Sequence, residues 1–142
     1  MDVLIEALED LKRKLDKDKA FEFAFDSDMQ ELLIELNQDQ LFNEGKDSEG
    51  QSLGSYSPYT IKIKQSKGQP TNRITLYDTG EFYQSFKAYY EDGSIVIDAD
   101  AEKEDTNLFD EFGIDILGLD DSNMSIFVNE IVQKIKFFIL NK

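Results

Sequence analysis

The chain has 142 residues, 40% hydrophobic and 32% charged, a balance that fits one globular domain and excludes a disordered chain. It holds no cysteine and no histidine, which excludes disulfides, thiolate nucleophiles and zinc–thiolate sites and strips most hydrolase and transferase mechanisms of their usual parts. The net charge of −15 opposes tight nucleic-acid binding through phosphate neutralisation, yet it tolerates DNA sliding past.

That charge is unevenly placed. Residues 1–45 carry 13 acids and 5 bases, 46–76 carry 5 bases and 2 acids, and 91–121 carry 12 acids and one base. Residues 2–17 read as an amphipathic helix, with Leu4, Ala7, Leu8, Leu11 and Leu15 on one face. Acids lead its early turns and Lys12, Arg13, Lys14 and Lys17 follow, an order the helix dipole favours. The preferred reading packs this helix on the core; the alternative makes residues 1–20 an arm on a neighbouring subunit.

Phe21, Phe23 and Phe25 alternate with Glu22 and Ala24, the pattern of a short strand or extended link. Ser27-Asp28-Met29-Gln30 has capping-box form, and Leu32, Leu33, Leu36, Leu41 and Phe42 carry a helix to about Glu44, where Gly45 ends it. Residues 45–57 form a loop. Ser57-Pro58 then sets a cap and a first helical residue for a short helix closed by Gly68, while Thr60-Ile61-Lys62-Ile63-Lys64 alternates like a strand; the helix is the preferred of these two conflicting readings. The two β-rich runs Ser85–Tyr90 and Ser94–Ala99 flank Asp92-Gly93, a hairpin signal, with Ile95 and Ile97 on one face. Residues 100–107 are acidic and expected to be exposed. Leu108 to Phe112 makes one helical turn closed by Gly113. Asp120, Asp121 and Ser122 offer caps for a last helix, whose stripe of Phe127, Ile131, Ile135, Phe138 and Ile139 is widened by Val128 and Val132. The fold class is therefore α+β: a single domain over 1–142, with a small antiparallel sheet packed with N-terminal and C-terminal amphipathic helices.

Chemistry has few candidates. Close carboxylate pairs occur at Asp26/Asp28, Asp98/Asp100 and Asp120/Asp121, and glycosidases and metal-dependent nucleases need such pairs. With 30 acids in the chain, pairs arise by chance, and no catalytic residue is assigned. Asp47-Ser48-Glu49-Gly50-Gln51 lacks the acid spacing and closing Glu of a calcium loop. The glycines form no phosphate-cradling motif, so neither a metal nor a cofactor is expected. The N-terminus, Met1-Asp2-Val3-Leu4-Ile5-Glu6, has acids where a secretory signal needs positive charge. No apolar run approaches the ~18 residues of a membrane span. A soluble protein that stays in the cell that makes it is expected. The six tyrosines suit either an interface or the face of the sheet.

One stretch carries a resemblance. Leu76-Tyr77-Asp78-Thr79-Gly80-Glu81-Phe82-Tyr83-Gln84-Ser85 resembles the Leu-x-x-Thr-Gly-x-Leu-x-x-Ser signature of phage tail-completion and virion-morphogenesis proteins, with Phe82 where many relatives have Leu. Upstream, Gly45 to Gly50 and Tyr56-Ser57-Pro58-Tyr59-Thr60 are similar to a loop of the same group, without its common Trp. Downstream, Phe112-Gly113-Ile114-Asp115-Ile116-Leu117-Gly118-Leu119 resembles the segment before its last helix.

The likeness covers about residues 40–140 and marks Leu76, Thr79, Gly80, Phe82, Ser85, Gly50, Tyr56, Thr60 and Gly113 as structural or interface positions. It implies a non-catalytic subunit that rings the junction between portal and tail, assembled in the host cytoplasm and retained in the virion. Its partners would be copies of itself, portal, adaptor or tail proteins, and DNA passing without specific binding. Read physically, Thr79-Gly80 makes a tight turn, and Leu76, Phe82 and Phe86 anchor it to the sheet. The basic 46–76 and acidic 91–121 stretches are expected to meet between neighbours in a head-to-tail ring. The net charge also suits an acidic DNA mimic that blocks a nucleic-acid enzyme, and the acid pairs suit a carboxylate-based hydrolase.

Overall fold

Asp92 and Gly93 both take positive φ, 51° and 79°, the backbone a two-residue type I′ hairpin turn demands. The computed structural model, which describes residues 2–141 (11–16 in backbone only), pairs the flanking strands β1 (Lys87–Glu91) and β2 (Ser94–Asp98) antiparallel. The register runs from Lys87 opposite Asp98 to Glu91 opposite Ser94, which puts Ala88, Tyr90, Ile95 and Ile97 on one face. β1 begins two residues later than expected, because Ser85 and Phe86 still close the preceding helical turn through bonds to the Phe82 and Tyr83 carbonyls. A lone two-stranded sheet is marginal in water, so its apolar face is held by helices.

Those helices are α1 (Asp2–Ala24), α2 (Ser27–Glu44), α3 (Pro58–Ser66), α4 (Glu81–Gln84), α5 (Leu108–Phe112) and α6 (Asp121–Leu140), with a 3-10 turn at Ile114–Ile116. The fold class is α+β. No helix of the described residues is long and apolar enough to cross a membrane.

α1 differs most from expectation. It does not stop near residue 17 but runs unbroken to Ala24, so Phe21 and Phe23 are helical and no strand forms there. Phe21 and Phe25 stand one helical turn apart, and Phe25 sits in the link just past the helix. Lys12, Arg13 and Lys14 therefore lie mid-helix, and the last turn carries no base for the dipole to favour.

Among the described side chains, packing on the core, the preferred reading, holds at the C-terminal end of α1. Ala20 and Ala24 are buried and Phe23 meets Phe137 and Phe138 of α6, whereas every residue from 2 to 10 is exposed. The side chains of Leu11 and Leu15 lie outside the described residues.

Asp26, not Ser27, caps α2: its Oδ1 accepts from the Met29 N–H at 3.0 Å. Gly45 closes α2 at φ 61°, and a Cβ there would meet the Ile74 carbonyl oxygen at 3.0 Å. Ser57 and Pro58 start α3 as read, Asn107 caps α5, and Asp120 caps α6 by accepting from the Asn123 N–H at 2.9 Å. Segment 100–107 is exposed except for buried Ala101, whose carbonyl accepts from the Leu108 N–H, and for Asn107, half-buried as the cap of α5.

Apolar side chains gather in two clusters. One joins Leu41, Ile74, Leu76, Phe82, Phe86, Leu108 and Ile116; the other joins Ala24, Phe25, Met29, Leu33, Leu119, Phe127 and Ile131. The stripe of α6 is buried at Phe127 and Ile131 but half-buried at Ile135 and Phe138, and Ile139, Val128 and Val132 face solvent.

Candidate functional site

The signature residues build a strained corner. Gly80 takes φ 91° and ψ −1° just ahead of α4, and a Cβ there would press within 3.0 Å of the Tyr77 Oη. Thr79 Oγ1 accepts from the Glu81 N–H, which bends the chain into the helical turn. Phe82 and Phe86 meet edge-on at 5.0 Å in the first cluster, beside Leu76. Ser85 Oγ donates to the Phe82 carbonyl at 2.6 Å and accepts from the Asp100 N–H at 2.8 Å, so it ties the corner to the segment leaving β2.

Leu76 is buried yet has a left-handed backbone, φ 59°, which costs an ordinary residue about 1–2 kcal/mol. Its neighbour Thr75 holds it there. The Thr75 N–H donates to Tyr56 Oη at 2.9 Å, the Thr75 carbonyl accepts from Tyr83 Oη, and Thr75 Oγ1 accepts from the Tyr77 N–H at 3.2 Å. Burial, with the Tyr56 hydroxyl nearby, pushes the Tyr83 hydroxyl above the ordinary tyrosine range, so it stays a donor. Lys64 of α3 is buried too. Its Nζ lies 5.0 Å from the centre of the Tyr56 ring and donates to the Tyr77 carbonyl at 2.7 Å.

Leu76, Thr79, Gly80, Phe82, Ser85 and Tyr56 thus share one corner. Thr60 stands on the rim of the adjoining cleft, of about 410 Å³, where it bonds Ser57 at the start of α3. Gly50 and Gly113 lie elsewhere, one in an exposed loop and the other closing α5. Of the tyrosines, Tyr56, Tyr77 and Tyr83 serve this corner, while Tyr59 is 76% exposed.

One cleft is lined by residues of both the basic and the acidic stretch. Lys64 and Lys67 line it together with Glu111 and the basic Lys103, and Lys67 pairs at 2.7 Å with Asp78, which lies outside both stretches. In each close acid pair at least one carboxylate accepts a nearby backbone N–H. Asp26 and Asp120 are helix caps, Asp98 accepts from the Ala99 N–H, and Asp100 accepts from the Glu102 N–H. Asp47 folds onto its own loop, accepting from Glu49 and Gln51. Among the described residues no group of three or more acids is placed to hold a metal ion.

Sequence reasoning missed Asn37 and Gln40, both fully buried on α2. Asn37 donates to the Ile116 carbonyl at 3.0 Å and accepts from the Gly118 N–H at 2.8 Å. Gln40 donates to the Gly118 carbonyl and accepts from the Asp120 N–H and the Asn123 amide. Together they fix the segment ahead of α6. The signal was present: Met29, Leu33, Asn37 and Leu41 fall at four-residue steps, so Asn37 stands in the buried stripe.

Compared with models of known families, with curated proteins and with solved structures, the chain matches none.

Proposed function

We propose that this chain is a non-catalytic, ring-forming virion subunit of a tailed bacteriophage, joining portal to tail at the head–tail junction and lining the DNA passage. The observation that carries this reading is the exposed start of α1, residues 2–10, where Val3 is 80%, Leu4 62% and Leu8 57% accessible. A helix that leaves such a face in water is shaped for another subunit. The corner built by the signature residues supports the reading: it is a folding device with its polar groups satisfied inward, not a reactive centre. The acids exposed between Glu102 and Asp105 add a surface that repels DNA and lets it slide.

The test is incorporation. Virions carrying a tagged copy, imaged and analysed by mass spectrometry, are expected to show it at the neck in ring stoichiometry. A protein absent from virions, and monomeric when mixed with purified portal, adaptor and tail proteins, would overturn the proposal.

A further inference from the structure

We propose that the cleft lined by α3 and α5 binds a carboxylate carried on a short apolar stem. The cleft measures about 410 Å³, a size that suits a small ligand, and Ile63, Leu76, Leu108 and Phe112 give it an apolar wall.

Lys64 carries the argument. It is only 9% exposed, and its ammonium meets neutral oxygens alone: the Tyr77 carbonyl at 2.7 Å and the Gln69 side-chain carbonyl at 3.4 Å, with the Tyr56 ring 5.0 Å away. Among the described residues no carboxylate pairs with it. A buried ammonium is costly unless an anion balances it. A neutral amide can donate the same two bonds, so folding alone does not call for a charge here.

The charge left over in the cleft sets the charge of the ligand. Five charged side chains line it. Lys67 and Asp78 cancel as an ion pair at 2.7 Å. Lys103 and Glu111 are exposed and form no ion pair among the described residues. Lys64 and Lys103 against Glu111 leave one positive charge, within a chain whose net charge is −15. Both ammoniums bear on one spot. The bond from Lys67 does most to hold the Asp78 carboxyl below its ordinary 3.8, against the burial that raises it, and the charges of Lys103 and Lys64 add to the effect. One negative charge balances the site, which selects a carboxylate over a phosphate carrying nearly two. The apolar wall selects the stem. The inference does not depend on the virion reading; it stands or fails on binding alone.

Titration of the whole chain, followed by its backbone NMR resonances, is the test. Hexanoate stands for a small acid and acetyl-Gly-Gly-Leu for the end of a chain, and each is compared with its uncharged amide form. The tighter of the two names the source. It is expected to bind at least tenfold tighter than acetate and than its own amide form, and to move Thr60, Lys64, Thr106 and Leu108 while leaving α6 still. Lys64→Gln, checked for native helix content by circular dichroism, and Lys103→Met, a change at an exposed side chain, are each expected to weaken that binding at least threefold. Both probes binding no tighter than acetate, an amide form binding equally well, or inorganic phosphate binding tighter than either would overturn the proposal. Unchanged affinity in either folded variant would equally sink it.

Discussion

Replacing Asn37 with alanine removes a side chain that satisfies two groups at once. The Ile116 carbonyl loses its 3.0 Å donor and the Gly118 N–H its 2.8 Å acceptor, and Asn37 and Ile116 are both fully buried. A buried polar group left unpaired costs about 1–3 kcal/mol, and the Gly118 end, only part-buried, belongs at the low side of that range. The expected loss is therefore about 2–4 kcal/mol, a large share of the ~5–15 kcal/mol that stabilises an ordinary domain. For a chain of this size that lowers Tm by roughly 6–15 °C. Urea unfolding followed by circular dichroism measures the loss directly. Gln40→Ala, made alone and together with Asn37→Ala, adds a double-mutant cycle; both residues grip Gly118, so the combined loss is expected to fall short of the sum. An Asn37→Ala protein within about 0.5 kcal/mol of wild type would show that the amide does not hold the segment ahead of α6.

Gly80→Ala is expected to cost about 2–3 kcal/mol, since it adds both left-handed strain and a contact with Tyr77 Oη, whereas Gly50→Ala, with open space around it, costs about 1 kcal/mol. Equal losses on denaturant unfolding would contradict the tight corner. Burial pushes the Asp26 carboxyl upward, but the Lys134 ammonium and the Met29 N–H outweigh it and hold the group below its ordinary 3.8. A depressed carboxylate stabilises the fold above its ordinary value and loses that contribution as pH falls through the lower folded value. The Tm gap between wild type and Lys134→Met is thus expected near neutral pH and expected to close in strong acid; a gap constant from about pH 6 to about pH 2 would refute the pairing.

Local chemistry made the hairpin and the caps legible. Asp92-Gly93 allows positive φ at both turn positions, and Ser57-Pro58 supplies an acceptor and a fixed φ at a helix start. The capping box misled by one residue because Asp26 and Ser27 both suit a cap, and only the fold decides which takes extended backbone. The Phe21, Phe23, Phe25 alternation misled more, because residues four apart share a face in a helix as well as in a strand. The corner was partly legible. Thr79-Gly80 announced a turn, but the grip of Tyr56 and Tyr83 on Thr75 spans 19 and 8 positions and leaves no local pattern. Asn37 and Gln40 were overlooked because an amide in an apolar stripe looks like an interruption until the partner some 80 positions away is known.

Asn37 and Gln40 stand on α2 between Leu33 of one apolar cluster and Leu41 of the other. The two clusters share Ile97, and beside that contact the buried amides add directional bonds to the segment ahead of α6. Apolar burial is non-directional, whereas paired amides accept one register, so these bonds index the segment ahead of α6 against α2. A one-residue slip of that segment would break all of them at once, so the start of the last helix has a single seat on α2.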